Sequence, residues 1–251
     1  YNNLSIRGIP VDNRGNYRLD GSLPIINLID LPLEDKDRVE ALKGASALYY
    51  GFTTPSGVIN LTMKRPTHTA FVDTALFGDD NGGVGTHVDA NDWWGIFGAR
   101  INAVYAKVDS GIDFTEGQRG LIAGAFDIRP TDKLLIQVDL EHIEKTVPEP
   151  TVFRLTAPKS TATNLYPQVA LPPLLNPKIN LGAEWMKNQA KEDNALIHGN
   201  YNINQAWALT FDTGASLASR SRRFSTFTPT NLVSGAGTEK TTLQNDNQYK
   251  N

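Results

Sequence analysis

The chain has 251 residues, a formal net charge of −3 and no cysteine. That length suits one or two domains with a sizeable core, and the charge argues against nucleic acid as a partner, because phosphate recognition needs a basic face. No apolar run approaches the roughly 18 residues of a membrane helix, which excludes helical spans but not a β-barrel, whose strands need only about 10 alternating residues.

The chain starts at Tyr1 on an alternating run (Asn2, Leu4, Ile6) and ends at Asn251 without a terminating signal, so it is read as part of a longer protein. Residues 1–66 are turn-rich. Pro32, followed by Glu34, Asp35 and Asp37, predicts the acidic first turn of a helix. Leu33, Val39 and Leu42 would supply its buried face, and Gly44 after Lys43 its stop. Ala45 to Tyr50 predicts a second short helix, and Val58 to Met63 a strand.

From Thr69 onward the period changes to two. In 133–143, Leu134, Ile136, Val138 and Leu140 face one way, and Lys133, Gln137, Asp139 and Glu141 the other. Segments 95–107 and 206–220 repeat this pattern, and 70–78, 83–91, 118–128, 194–203 and 241–251 are weaker candidates. Alternation alone suits a soluble sandwich equally well. The connections favour a barrel. After 79–82, short ones (92–94, 129–132, 204–205) alternate with long ones (108–117, 144–193, 221–240), as in outer-membrane barrels with tight turns at one end and loops at the other. Trp93, Trp94 and Trp207 fall at the short-turn ends, where an interfacial aromatic girdle belongs. Segment 144–193 holds seven of the fourteen prolines and predicts a long external loop.

The stretch Leu31 to Pro66, LPLEDKDRVEALKGASALYYGFTTPSGVINLTMKRP, resembles the end of the plug domain in TonB-dependent outer-membrane receptors. Ile6-Arg7-Gly8 and Leu19-Asp20-Gly21 resemble earlier plug motifs. GARINAVYAKVDSGID and FDIRPTDKLLIQVDLEH resemble the first barrel strands of the siderophore-receptor branch. Ala45 stands where that family usually carries Pro, and Ser56 replaces the first Gly of a Gly pair. The resemblance implies a mainly β chain: an α+β plug whose C-terminal half is 1–66, then antiparallel transmembrane β-barrel strands over 67–251. About eight strands are present, whereas a barrel needing a plug has about 22.

The same resemblance implies a bacterial outer-membrane location and uptake of a ferric siderophore driven by the inner-membrane TonB complex. It implies contact with outer-membrane lipid, no catalysis and no cofactor, the iron(III)–siderophore complex being cargo. The alternatives are the same machine with another cargo (cobalamin, a saccharide), a passive porin, or a soluble β-rich binding protein. Ligand contacts are expected on apical plug loops, at Asp12, Asn13, Arg14, Asn16, Tyr17, Ile26 and Asn27, and on the barrel loop at Arg154 and Tyr166. Arg14 and Tyr17 suit an anionic or aromatic chelate; a solvated polar turn is the alternative. Arg7 and Lys43 sit where plugs of this family carry cations paired with barrel carboxylates. Asp139 and Glu141 face the lumen, to meet the plug or to lie hydrated.

Asp12-Asn13-Arg14-Gly15-Asn16 lacks the spacing of a calcium loop, the four histidines lack metal-ligand spacing, and no constellation resembles an active site.

Overall fold

The computed structural model describes residues 4–44, 50, 53–154, 163, 176–231 and 234–251. Within them the elements are fifteen strands in three sheets. β1 (Ser5–Ile6) and β2 (Ile9–Pro10) form a hairpin around Arg7-Gly8, both at positive φ, the two-residue turn whose twist matches its strands. That turn explains the glycine of the Ile-Arg-Gly motif and leaves Arg7 exposed.

β3 (Tyr17–Leu19), β4 (Leu23–Ile25), β5 (Lys36–Leu42) and β6 (Val58–Met63) make a mixed sheet in the order β4-β3-β6-β5, with β3 and β6 parallel. The helix predicted around Leu33–Lys43 is therefore not there. Its residues form β5, antiparallel to β6, with Val39 opposite Leu61 and Leu42 opposite Val58. The side chains show why this segment satisfies a strand. Arg38 Nε donates to Glu40 Oε1 at 2.7 Å, two residues apart on one face, and Glu40 Oε2 accepts from Asn60 Nδ2 across the ladder at 2.9 Å. Residues i and i+2 share a face in a strand and not in a helix. Good helix formers are thus overridden by pairing with a neighbour some twenty positions on. Of the second predicted helix, Ala45 to Tyr50, only Tyr50 is described, in helical conformation; 45–49 and 51–52 lie outside the described residues. Gly57 (φ +119°) lets the chain turn into β6; a Cβ there would meet the Leu42 carbonyl oxygen at 2.3 Å.

The large sheet runs β7 (Phe71–Gly78), β8 (Val84–Trp94), β9 (Phe97–Val108), β10 (Gly117–Thr131), β11 (Leu134–Pro148), β13 (Lys187–Asn202), β14 (Ala208–Pro229) and β15 (Gly237–Lys250), each antiparallel to the next. These are the eight strands read from periodicity. A ninth, β12 (Val152–Phe153), pairs in parallel with β14 just beyond the end of β13. Tight connections (95–96, 132–133, 203–207) lie at one end and 79–83, 109–116, 149–186 and 230–236 at the other. The predicted loops 144–193 and 221–240 are shorter than expected because the ladders run on past the apolar stretch. Strand pairing needs only backbone partners, and these continue to Pro148↔Lys187 and Pro229↔Gly237.

The sheet is a one-layer wall. One face carries a band of half-exposed apolar side chains (Ile101, Ile122, Leu140, Ile197, Leu217) that no second layer of the described residues covers, with Trp94 and Trp207 exposed near its short-turn end. Trp93, one residue from Trp94, points to the other face, against Pro66 and Gly98. That inner face packs on the small sheet. Leu19, Leu23, Ile25, Leu61 and Met63 join Val104, Leu121, Ala123, Ile143 and Leu196 in one buried cluster. Gly214 leaves room for β4, since a Cβ there would lie 3.2 Å from Leu23 Cδ1.

Candidate functional site

Alternation along β8 to β13 puts Asp89, Asp127, Asp139, Glu141 and Glu192 on the inner face, and all five are buried. Buried carboxylates need partners. The small sheet and the linker after it supply them. Lys64 Nζ reaches Asp89 at 2.9 Å, and Arg100 of the wall binds the same carboxylate in a fork. Arg65 Nη1 reaches Asp139 at 2.7 and 3.0 Å and Nη2 reaches Asp127 at 3.1 Å. The sequence Lys64-Arg65-Pro66 therefore clamps the linker to three wall strands.

Deeper in, Lys36 Nζ sits between Asp35 Oδ2 (2.6 Å) and Glu141 Oε1 (2.5 Å), all three side chains 0–1 % exposed. Asn194 bridges Glu141 Oε2 (2.8 Å) and Glu192 Oε1 (3.1 Å). Burial alone would depress the Lys36 ammonium, but the Glu141 and Asp35 carboxylates outweigh it and hold it above its ordinary value. Burial, then repulsion from Glu141, pushes Asp35 up to about 7 despite the lysine. At the outer rim of the seam Glu34 accepts from Arg119 and Lys145 reaches Asp30 at 3.0 Å. Burial alone would raise Glu34, but its bond from Arg119 keeps it below the usual carboxylate range.

At the long-loop end the two sheets part around a cavity of about 500 Å³. Asn13, Asn27 and Asp30 line it from the small-sheet side, and Lys145, Glu149 and Arg222 from the wall. Arg222 Nε binds Glu149 at 2.5 and 2.7 Å, and the buried Asn13 Oδ1 has no hydrogen-bond partner. Of the residues expected to touch a ligand, Asn13 and Asn27 are brought together here. Asp12 is exposed and caps the Arg14 amide. Arg14 lies over the Tyr249 ring, 4.7 Å from its centroid, and donates to its hydroxyl at 3.2 Å.

Asn16, Tyr17 and Ile26 are buried, at 0, 4 and 2 % exposure, and present no free surface in this structure. The Asn16 amide is instead bonded to Gly57 O (2.5 Å) and Thr54 Oγ1 (2.7 Å), tying the apical turn to the start of β6. Arg154 is exposed, and its backbone amide donates to Phe227 O at 2.9 Å. Tyr166 lies outside the described residues.

Arg7 and Lys43 are both exposed and form no ion pair among the described residues. The cations that do pair with the wall are Lys36, Lys64 and Arg65, which sequence reasoning passed over. A signal existed for their partners. Asp139 and Glu141 are acidic residues on one face of a clean alternation, a pattern that demands compensation if that face is covered. Lys36 falls inside the segment expected to be a helix and carries no signal of its own there.

No family model matches the chain. It is 28 % identical over 142 residues to the ferrichrome outer membrane transporter/phage receptor of Escherichia coli (strain K12), a match covering 53 % of the chain and 19 % of that protein. Solved structures match over almost its whole length. The ferric preacinetobactin receptor BauA of Acinetobacter baumannii gives a TM-score of 0.76 at 22 % identity, covering 95 % of this chain and 35 % of that one. The closed form of the ferric-catecholate import receptor Fiu of E. coli K12 gives 0.78 at 18 %, covering 99 % and 36 %. The ferripyoverdine receptor of Pseudomonas aeruginosa gives 0.74 at 18 %, covering 90 % and 30 %. The chain thus spans about a fifth of its curated relative and about a third of these receptors. By sequence it resembles a ferrichrome transporter of the outer membrane, and by fold it matches part of the ferric-siderophore receptors.

Proposed function

We propose that this chain is the C-terminal half of the plug (1–66) and the N-terminal part of the barrel wall (67–251) of an outer-membrane receptor that takes up a ferric siderophore, with work delivered by the TonB complex. The observation that carries this reading is the contrast between the two faces of one sheet. One face is an uncovered apolar band suited to lipid; the other holds a separate sheet through buried ion pairs beside a shared apolar cluster. A stopper held this way blocks passive diffusion and yields to force. Asn13 and Asn27 are the cargo contacts favoured here, because they line the cavity at the loop end and Asn13 Oδ1 is an acceptor without a partner. Asp12, Arg14 and Arg154 are exposed. Asn16, Tyr17 and Ile26 support the apex from beneath.

The test is uptake of radioiron chelates by an iron-starved host that lacks its own receptors and carries the full-length gene. Uptake of one chelate class, abolished by deleting TonB, supports the proposal. Uptake that persists without TonB would make the protein a pore, and recovery outside the outer-membrane fraction would sink the reading entirely.

A further inference from the structure

Around Lys36 the seam holds more acid than one cation can neutralise. Asp35, Glu141 and Glu192 surround a single ammonium, and each of the four residues is at most 6 % exposed. The neighbouring inner-face positions add no charge: Leu121 and Ala123 on β10 and Ser216 and Ala218 on β14 are apolar or neutral. Asp139, next along β11, is paired with Arg65 and also faces Asp20 of the small sheet, Lys64 is paired with Asp89, and Arg220, beyond Ala218 on β14, is bonded to Asn188. Asn194 donates to both Glu141 and Glu192 and neutralises neither. Two carboxylate oxygens, Asp35 Oδ1 and Glu192 Oε2, are buried without a hydrogen-bond partner among the described residues, with the Ile26 backbone amide near the Glu192 carboxyl.

An ionised carboxylate left in this position is far more costly than one that has bound a proton, because a protonated carboxyl is uncharged and becomes a donor. The Asp35 carboxyl faces that of Glu141 closely enough for one to donate to the other. The cluster also spans the moving boundary. Asp35 and Lys36 belong to the small sheet, Glu141 and Glu192 to the wall. When the two part, water reaches all four and the carboxyls return to their ordinary acidity.

We propose that the Asp35–Lys36–Glu141–Glu192 cluster is a proton-binding site of the seated plug, so that seating takes up at least one proton and release gives it back. The sign follows from linkage. The seated state binds more protons than the parted state between the ordinary carboxylate range and about 7, the value Asp35 reaches. Seating is strongest in acid within that window and weakens as pH rises to about 7. For one proton the parting equilibrium grows up to tenfold per pH unit. This inference rests on the plug-and-wall reading but not on any cargo.

The experiment uses the full-length receptor in detergent. The urea midpoint for plug release is followed by labelling of a cysteine introduced at Leu61 (3 % exposed, in the cluster against the wall), each rate normalised to denatured protein at the same pH. The expected result is a midpoint that falls between about pH 5 and about pH 7 in the wild type and changes much less in Glu192→Gln and Asp35→Asn. Infrared spectra of the intact receptor should show a protonated-carboxyl band near neutral pH that both variants diminish, a readout that survives even if a variant loosens the plug. A flat wild-type profile, or a carboxyl band unchanged in both variants, would overturn the proton site. Neither cargo nor TonB enters the measurement, so lost transport in the uptake assay and a flat profile here are separate failures.

Discussion

Strand β11 carries a glutamate–lysine pair on each of its faces, and the two pairs differ in almost everything but chemistry. Glu141 points inward to Lys36, with both side chains 1 % exposed. Glu144 points outward to Lys191 at the same 2.5 Å, with side chains 48 and 60 % exposed. The outer pair exchanges water for a partner that water nearly matches. The inner pair has no water to return to while the plug is seated, so losing one member strands the other. The same bond is therefore a surface ornament on one face and a condition of assembly on the other.

Breaking the inner pair should have the largest effect. Lys36→Met leaves three buried carboxylates without a cation and should cost about 3–5 kcal/mol of plug seating, read as a lowered urea midpoint with the barrel intact. If the loss is as small as that of a surface pair, the contrast between the faces is wrong. Charging the lipid face comes next. Leu140→Arg, one residue from Glu141 and on the opposite side, should cost about 2–4 kcal/mol of barrel stability in lipid, measured by reversible folding into bilayers. A neutral outcome would mean that this face does not meet hydrocarbon. The smallest effect belongs to Lys191→Ala, which should leave both plug and barrel midpoints unchanged within error at any salt concentration.

How much of this was legible beforehand depended on the range of the interaction. Eight strands, their faces and the alternation of short and long connections could be read because a strand repeats every two residues wherever it packs. β5 could not. Asp37-Arg38-Val39-Glu40-Ala41-Leu42 suits helix and strand about equally, and the decision came from the register Glu40↔Asn60 and Val39↔Leu61. Asn16 is a second case. In a run of polar turn residues nothing local distinguishes a side chain facing cargo from one bonded to Thr54 and Gly57, some forty residues on. The charged seam stood halfway: Asp139 and Glu141 announced an inner face needing cations, but not which cations.

The sequence by itself determined the wall, its greasy and polar faces, the end at which its loops gather and the plug motif before Pro66, because each is written in local periodicity or contiguous residues. Only the tertiary structure decided that Lys36, Lys64 and Arg65 meet the wall, that Arg7 and Lys43 are exposed among the described residues, and that three carboxylates crowd one ammonium. Those facts depend on which strand of one sheet lies over which strand of another, a placement set by packing and charge across the seam.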